Sequence, residues 1–246
     1  AEDGFKINIQ DLKSKISPKT KFIIINSPNN PTGRVMPKEE LIQIAELVRE
    51  NKNINILSDE IYELILKKEF KHLSLASLAT DLKERIFIIN GFAKGWAMTG
   101  WRVGYLVGQK DVIKASSALQ SQSTSNVCSF VQRGALEALK INREFFLEIN
   151  SHYDLRREVL YKGLKNIEGL FIYPPNGAFY AFPRLPNKSM TSVEFCKRIL
   201  NDYGLVVVPG KPFGDDQCIR ISCASSKEKI LDGLTRLEKG ILNYYF

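Results

Sequence analysis

The sequence has few of the residues that metal sites and disulfide scaffolds require. Its 246 residues include only four cysteines, and these are scattered instead of paired or dense. The two histidines, His72 and His152, lie far apart, which leaves little material for a histidine-rich metal site or a Ser-His-Asp triad. We therefore expect no metal, a reducing compartment and cysteines that serve as small core residues. His72 lies in a charged stretch and is expected to be solvated.

Long apolar runs and blocks of like charge are also absent. No run approaches the roughly 20 apolar residues that cross a bilayer, and no export signal opens the chain, so we expect a cytoplasmic protein with no membrane partner. The net charge of +8 comes from basic residues interleaved with acidic ones. This pattern disfavours nucleic acid as a partner, and anionic small substrates account for part of the excess equally well.

The first half of the chain has the pattern of an α/β domain. Predicted strands cover residues 21–25, 54–57, 85–89 and 103–107, and a helix begins at Pro37 between the first two. A strand, a helix and a strand with short links predict parallel pairing. The first run, KFIII, is uniformly apolar and is expected to be buried on both faces.

The second half is predicted to be a separate α+β domain. Helical patterns cover 111–122 and 127–167, the latter as one bent helix or two, and we place the domain boundary near Asn150. A hairpin of 170–173 with 178–182 comes first, followed by a helix that Ser192 is predicted to cap. Strands at 205–208 and 218–222 come next, and the last helix has a Ser225/Glu228 capping box. The predicted domains are therefore 1–149 and 150–246.

Polar residues follow three of the predicted strands at their carboxyl ends. Asn30 follows the first strand, Asp59 and Tyr62 follow the second, and Lys94 follows the third. Open α/β sheets bind their ligands at this edge, so we expect a site there.

Lys94 is the residue around which this site is predicted. A lysine at the mouth of a buried strand, beside Phe92 and Trp96, is expected to be desolvated, which makes its amine a nucleophile for carbonyls. Arg102, eight residues later, has a planar fork suited to a phosphate. A lysine with a phosphate-binding arginine suggests pyridoxal phosphate. The alternative for this stretch is an ordinary surface lysine in a glycine loop.

The other polar strand ends fit the needs of that cofactor. Its ring withdraws electrons only when the ring nitrogen is protonated, and Asp59 is the candidate carboxylate to stabilise that charge. Asn30 and Tyr62 are candidates to hydrogen-bond the phenolic oxygen. Taken singly, Asp59 has the alternative interpretation of a helix cap and Tyr62 that of a core residue.

Five strings in the chain carry a resemblance to a known family. They are NNPTG (29–33), SDEIY (58–62), FAKGWAMTGWRVGY (92–105), NGAFY (176–180) and RISCA (220–224). In order and spacing, the chain resembles the class I aminotransferases of pyridoxal-phosphate fold type I, in the bacterial aspartate aminotransferase-like branch. The implied fold is the large-domain α/β sheet with helices on both faces, followed by a small α+β domain.

The resemblance implies a role for each matching residue. Lys94 would form the imine with pyridoxal 5'-phosphate and shuttle the proton. The other implied contacts are Asp59 with the pyridinium, Asn30 and Tyr62 with the phenolic oxygen, Arg102 with the phosphate, and Arg220 and Asn30 with the substrate carboxylate. The alternation around Arg220 independently predicts an inward arginine that needs an anion, with a salt bridge inside the domain as the alternative.

Two departures from the family pattern stand out. Where many relatives have a serine or threonine before the lysine, this chain has Gly91 and Ala93, so that phosphate contact is either missing or supplied by Asn90. The family's chain also normally begins upstream of the position of Ala1. We therefore expect a fragment that lacks the N-terminal part of the large domain and that is inactive alone.

The function that follows is transamination of an L-amino acid by the intact protein, and the resemblance favours aspartate with 2-oxoglutarate as the substrate pair. The resemblance also implies amino-acid and 2-oxo-acid substrates and a homodimer. Alternatives are another fold type I activity (an aromatic or prephenate aminotransferase, a β-lyase or a cyclopropane-forming synthase), a ligand-sensing module without turnover, and a fragment that binds no cofactor.

Overall fold

The structure, a computed structural model, describes residues 3–187 and 189–246. It has two sheets, with strands β1 (Phe22–Asn26), β2 (Asn55–Asp59), β3 (Ile86–Gly91), β4 (Gly104–Val107), β5 (Tyr180–Ala181), β6 (Val208–Pro209) and β7 (Ile219–Ser222). The helices are α1 (Ile9–Ser14), α2 (Lys38–Glu50), α3 (Leu75–Leu78), α4 (Lys110–Ser123), α5 (Ser129–Ala138), α6 (Arg143–Asn166), α7 (Ser192–Tyr203) and α8 (Lys227–Tyr245). Single 3₁₀ segments lie at Thr80–Arg85, Thr99–Trp101 and Lys211–Phe213.

The first sheet confirms the predicted α/β class. Strands β1, β2 and β3 lie side by side and run parallel, with α2 between β1 and β2 in the chain. Each of the four predicted strands lies within two residues of the observed one. The fourth strand, β4, runs antiparallel to β3, because the loop between them turns the chain straight back without a crossover helix.

Strand β1 is buried on one face only, so the prediction that both of its faces are buried is wrong. Ile23 and Ile25 pack with Leu41 and Ile44 of α2 in the core of this half. Ile24, which points to the opposite face, is 69% exposed. A uniformly apolar run does not reveal which of its alternate residues the tertiary packing covers.

The helical region between the two sheets resolves into three helices. The predicted helix at 111–122 is α4, and the long pattern at 127–167 is two helices, α5 and α6. Asn142 begins α6, and its side chain accepts a hydrogen bond from the Phe145 amide. Since α6 continues through Asn150 without a break, the proposed domain boundary lies inside a helix and stays a prediction.

The second half has its own core, formed where α6, α7 and α8 pack against the small sheet. Its fully buried members include Leu164, Phe195, Ile199, Ile219 and Ile241. The strand order is β5-β7-β6, and both pairings are antiparallel.

The predicted hairpin of this half is reduced to one residue pair. Phe171 and Arg184 exchange two backbone hydrogen bonds of 3.1 and 2.8 Å, whereas Tyr180 and Ala181 pair with β7. The predicted strand at 205–208 is shorter and shifted, to Val208–Pro209.

Both predicted caps in this half are displaced by one residue. Thr191, not Ser192, caps α7, and its hydroxyl accepts from the Glu194 amide. Ser192 instead donates its hydroxyl to Asp216 at 2.5 Å. Ser226, not Ser225, caps α8 by accepting from the Lys229 amide. Adjacent serines and threonines are equivalent as caps in sequence, and only the backbone path selects one.

The cysteines differ in their exposure. Cys218 and Cys223 are buried as predicted, but Cys128 is exposed at the start of α5, where the helix edge is not covered by the rest of the described chain. Within the part of the chain that the structure describes, no helix is both long enough and apolar enough to cross a membrane.

Candidate active site

The candidate site lies where the three parallel strands end. Asn26, Asp59 and Ile89 are in register at the carboxyl ends of β1, β2 and β3. The segments that follow them therefore leave the sheet at one edge. The amides of Ser27 and Glu60 continue the pairing by donating to the carbonyls of Asp59 and Ile89.

The loop after β1 is held from both ends. Asn26 accepts the Asn30 amide on its side-chain oxygen at 2.8 Å and donates to the Asp59 carbonyl at 3.1 Å. At the other end, the carbonyl of Gly33 accepts the amides of Asn176 and Gly177, each at 2.8 Å. The loop therefore bridges the large sheet and the NGAFY segment of the second half.

Asn30 and Arg220 meet across this junction. The Nη1 atom of Arg220, on β7, donates to the side-chain oxygen of Asn30 at 2.9 Å. The guanidinium carbon lies 4.6 Å from the ring centroid of Tyr180 and 5.1 Å from that of Phe213. Among the described residues, no carboxylate forms an ion pair with Arg220, so the predicted salt bridge inside the domain is not what holds this side chain.

Lys94 faces two aromatic rings that the sequence does not place beside it. Its Nζ atom is 6.0 Å from the ring centroid of Tyr62 and 5.8 Å from that of Phe179. Trp96, the expected neighbour, turns away and donates its indole N–H to the Ala138 carbonyl at 3.0 Å. The aromatic surroundings of the amine therefore come from distant segments and not from its own loop.

Tyr62 is buried between aromatic residues of the second half. Its hydroxyl lies 3.0 Å from that of Tyr180, and its ring meets the Phe179 and Tyr180 rings edge-on. Burial first, and then the hydrogen bond with Tyr180, raise the pKa of Tyr62 well above its ordinary value. The phenol consequently keeps its proton at neutral pH and is available as a donor.

Asp59 lies at the end of β2 and caps a turn, not a helix. Its Oδ1 atom accepts the Ile61 amide at 3.2 Å. Burial raises the pKa of its carboxyl, the Ile61 amide opposes this rise, and the charge of neighbouring Glu60 adds to it. A half-buried carboxylate with a raised pKa lacks a compensating cation and would gain from one.

Arg102 and Lys94 belong to one loop, which connects the antiparallel strands β3 and β4. Arg102 is exposed, has a left-handed backbone with φ of 53°, and donates Nη1 to the Thr99 carbonyl at 3.1 Å. Thr99 in turn donates its hydroxyl to the carbonyl of Ala93, next to Lys94. This short path connects the two basic residues, and the Arg102 side chain is open to solvent.

Asn90 is committed to another contact and is a poor candidate for binding phosphate. Its side-chain amide donates to Glu63 at 2.6 Å, and its oxygen accepts the Gly91 amide at 2.7 Å. The expectation that Asn90 replaces the missing hydroxyl is therefore not supported by its hydrogen bonds.

A buried polar network behind Asp59 was missed, and the prediction that His72 is solvated is wrong. The Nε2 atom of His72 lies 3.0 Å from Glu60, and only 12% of the His72 side chain is exposed. The hydroxyls of Ser58 and Ser74 also donate to Glu60, at 2.9 and 2.8 Å. Burial raises the pKa of Glu60, but the hydrogen bonds from His72 and the serines outweigh it and leave the pKa below its usual value.

The fold and this strand-edge site define a class of protein. The chain belongs to the family aminotransferase class I and II, which matches residues 1–237.

Within the family, the chain is similar to aspartate aminotransferases and related enzymes. It is 40% identical to a probable aspartate/prephenate aminotransferase of Rickettsia felis, over 97% of this chain and 61% of the relative. It is also 40% identical to the aspartate aminotransferase of Bacillus subtilis, over 97% of this chain and 62% of the relative. The chain thus spans less than two thirds of the length of these relatives.

Solved structures have the same fold. The aspartate aminotransferase of Thermus thermophilus with maleate superposes with a TM-score of 0.89 at 38% identity, covering 97% of this chain and 62% of that one. An aromatic aminotransferase of Pyrococcus horikoshii superposes with a TM-score of 0.92 at 37% identity, covering 98% and 65%.

Proposed function

We propose that the whole protein catalyses pyridoxal-phosphate-dependent transamination of an L-amino acid, with aspartate and 2-oxoglutarate as the favoured pair. The observation that carries the proposal is the grouping of three side chains near Tyr62. The Lys94 amine faces the Tyr62 ring, and Asp59, with its raised pKa, lies three residues before Tyr62 at the end of β2. Arg220 approaches from the small sheet and contacts Tyr180, whose hydroxyl is paired with that of Tyr62. Within the described residues, none of these three groups has an ion-pair partner, so each is open to the kind of partner that the cofactor or the substrate would supply.

The residues present fit the cofactor. When bound, pyridoxal phosphate supplies an aldehyde for a lysine amine and a ring that accepts electrons. Lys94 would hold the aldehyde, and Asp59 would gain the cation it lacks from a protonated ring nitrogen. The neutral phenol of Tyr62 and the amide of Asn30 would hydrogen-bond the phenolic oxygen. Arg102, with its exposed fork, would bind the phosphate.

The same residues account for the handling of substrate. Arg220 would bind the α-carboxylate with the donors that Asn30 does not use, which orients the α-carbon. Lys94 would take the proton from that carbon as a general base and return it. The rings of Tyr62 and Phe179 beside the amine limit the access of water.

Aspartate is favoured because relatives at 40% identity are described as aspartate or aspartate/prephenate aminotransferases. A second candidate is an aromatic or prephenate-type substrate, since the Pyrococcus enzyme is described as an aromatic aminotransferase. Comparing turnover of aspartate, phenylalanine and prephenate at equal concentration separates the two candidates.

We also propose a homodimer, because Leu119 of α4 and Phe130 of α5 expose 72% and 71% of their surface.

The decisive experiment replaces the amine in the whole protein. Lys94→Ala should abolish the absorbance band formed with added pyridoxal phosphate and lower turnover of aspartate with 2-oxoglutarate by at least about a thousandfold. Lys52→Ala, at an exposed turn after α2, is the matched control and should retain both. Turnover that survives in Lys94→Ala would refute the proposed function. The 246-residue chain alone is expected to be inactive in the same assay.

A further inference from the structure

Tyr180 contacts two residues to which the proposed function gives different roles: Tyr62, which would bind the phenolic oxygen of the cofactor, and Arg220, which would bind the substrate carboxylate. It is 7% exposed on β5. Its hydroxyl lies 3.0 Å from that of Tyr62, and its ring lies against the Arg220 guanidinium, 4.6 Å from centroid to carbon. Among the described residues, no other side chain has a hydrogen bond or a ring contact with both Tyr62 and Arg220.

The small sheet explains why Tyr180 and Arg220 are neighbours. Tyr180 pairs with Ser222 in the antiparallel register of β5 and β7. Arg220 precedes Ser222 by two residues, so it lies on the same face and diagonally across from Tyr180. Phe213 approaches the guanidinium as well, at 5.1 Å. The two rings hold the planar group by contact alone, which leaves the N–H donors that Asn30 does not use free for anions.

The hydroxyl of Tyr180 acts on a different group. A phenol that donates its own proton to a ligand can still accept a hydrogen bond on its oxygen. Among the described residues, Tyr180 provides the hydroxyl that pairs with the hydroxyl of Tyr62. If Tyr180 donates, the proton of Tyr62 points away from it, and the donating power of Tyr62 rises because the two bonds polarise each other.

We infer that Tyr180 is a positioning residue with two separable effects: its ring orients Arg220 toward a carboxylate, and its hydroxyl directs the Tyr62 proton toward the phenolic oxygen of the cofactor. This inference rests on the proposed function.

Three variants of the whole protein separate the two effects. Tyr180→Phe removes the hydroxyl and keeps the ring. Phe213→Leu, the matched control, removes the other ring from Arg220 and leaves both hydroxyls. Tyr180→Leu removes ring and hydroxyl together. Two readouts are measured: the pH midpoint of the absorbance band with added pyridoxal phosphate, and the dissociation constant of maleate in cofactor-free protein by calorimetry.

The expected results form a pattern. A hydrogen bond to the phenolic oxygen of the cofactor favours the anionic form of that oxygen. Weakening this hydrogen bond therefore raises the pH midpoint of the absorbance band. Tyr180→Phe should raise the midpoint by about 0.5 pH unit and leave maleate binding within about twofold. Phe213→Leu should weaken maleate binding by roughly threefold to tenfold without moving the midpoint, and Tyr180→Leu should show both changes.

The contrary results are equally specific. An unchanged midpoint in Tyr180→Phe overturns the effect of the hydroxyl. Wild-type maleate affinity in Tyr180→Leu overturns the effect of its ring, whatever Phe213→Leu shows. Should Tyr180→Leu fail to fold, Tyr180→Met, which also removes the ring and the hydroxyl, replaces it in the maleate measurement, and Tyr180→Phe still decides the effect of the hydroxyl. If the wild type forms no absorbance band with the cofactor, the proposed function fails, the hydroxyl effect falls with it, and the maleate measurements alone decide the ring effect.

Discussion

Gly33 should be the most sensitive glycine at the junction that brings Asn30 to Arg220. Its backbone is left-handed, with φ of 69°. A Cβ atom added there would lie 2.5 Å from the Cβ of Pro175 and 2.6 Å from the carbonyl oxygen of Tyr180. The second neighbour is backbone of strand β5 and cannot rotate away. Gly33→Ala must therefore separate the Asn30 loop from the NGAFY segment.

The expected loss of stability has two parts. Placing alanine in the left-handed region costs about 1–2 kcal/mol. Forcing the two packed segments apart costs about 1–3 kcal/mol more. Gly214→Ala is a matched control for the first part alone, since Gly214 has φ of 90° and no atom lies within 4 Å of its added Cβ. Gly33→Ala should thus lose roughly 1–3 kcal/mol more than Gly214→Ala.

Thermal unfolding of the whole protein, followed by tryptophan fluorescence, measures this difference. Gly33→Ala should melt several degrees below Gly214→Ala. Because the loop carries Asn30, maleate binding should weaken in Gly33→Ala and not in Gly214→Ala. Equal melting temperatures and equal maleate affinities in the two variants would refute the close loop-to-strand contact on which the site depends.

Two further predictions concern the carboxylates at the end of β2. Because the pKa of Asp59 is raised in the folded state, ionising Asp59 reduces the stability of the fold. This loss is absent below the unfolded-state pKa of Asp59, and it grows as the pH rises from there through the folded-state pKa. Cofactor-free Asp59→Asn should therefore melt above the wild type at pH 7 and lose that advantage on acidification; a lower melting temperature at pH 7 would contradict this. Glu60 has a lowered pKa, so its stabilisation is present above its unfolded-state pKa and is lost as pH falls through its folded-state value. Glu60→Gln should destabilise the protein by about 1–3 kcal/mol at pH 7. The control Glu69→Gln, which loses only an exposed ion pair with Lys67, should leave the melting temperature nearly unchanged. Similar losses of stability in the two variants would show that the buried network contributes little.

Much of the first sheet could be predicted from local sequence. Runs such as FIII at the start of β1 favour strands through β-branched side chains, and the turn residues after Asn26 stop them. Since the carboxyl ends of parallel strands share one edge, the strand pattern alone predicts that the segments carrying Asn30, Asp59 and Lys94 leave the sheet at the same edge. The antiparallel direction of β4 did not follow, because a strand pattern contains no direction.

The surroundings of each site residue were harder to predict. Trp96 is two residues from Lys94 but faces Ala138, whereas Phe179 and Tyr62 lie beside the amine. His72 is in a charged stretch, yet it pairs with buried Glu60 twelve residues earlier. Proximity in sequence says little about side-chain contacts when a loop can turn its residues to either side.

The sequence by itself determined the kinds of groups available: one amine after β3, one carboxylate after β2, one amide after β1 and an inward arginine on β7. Local propensity and strand periodicity suffice for these because they depend on neighbours only a few residues away. Only the tertiary structure decided that Asn30 and Arg220, 190 residues apart, share a hydrogen bond, and that Tyr180 lies between Arg220 and Tyr62. Those contacts arise from packing one half of the chain against the other, and that packing depends on the shapes of both surfaces together.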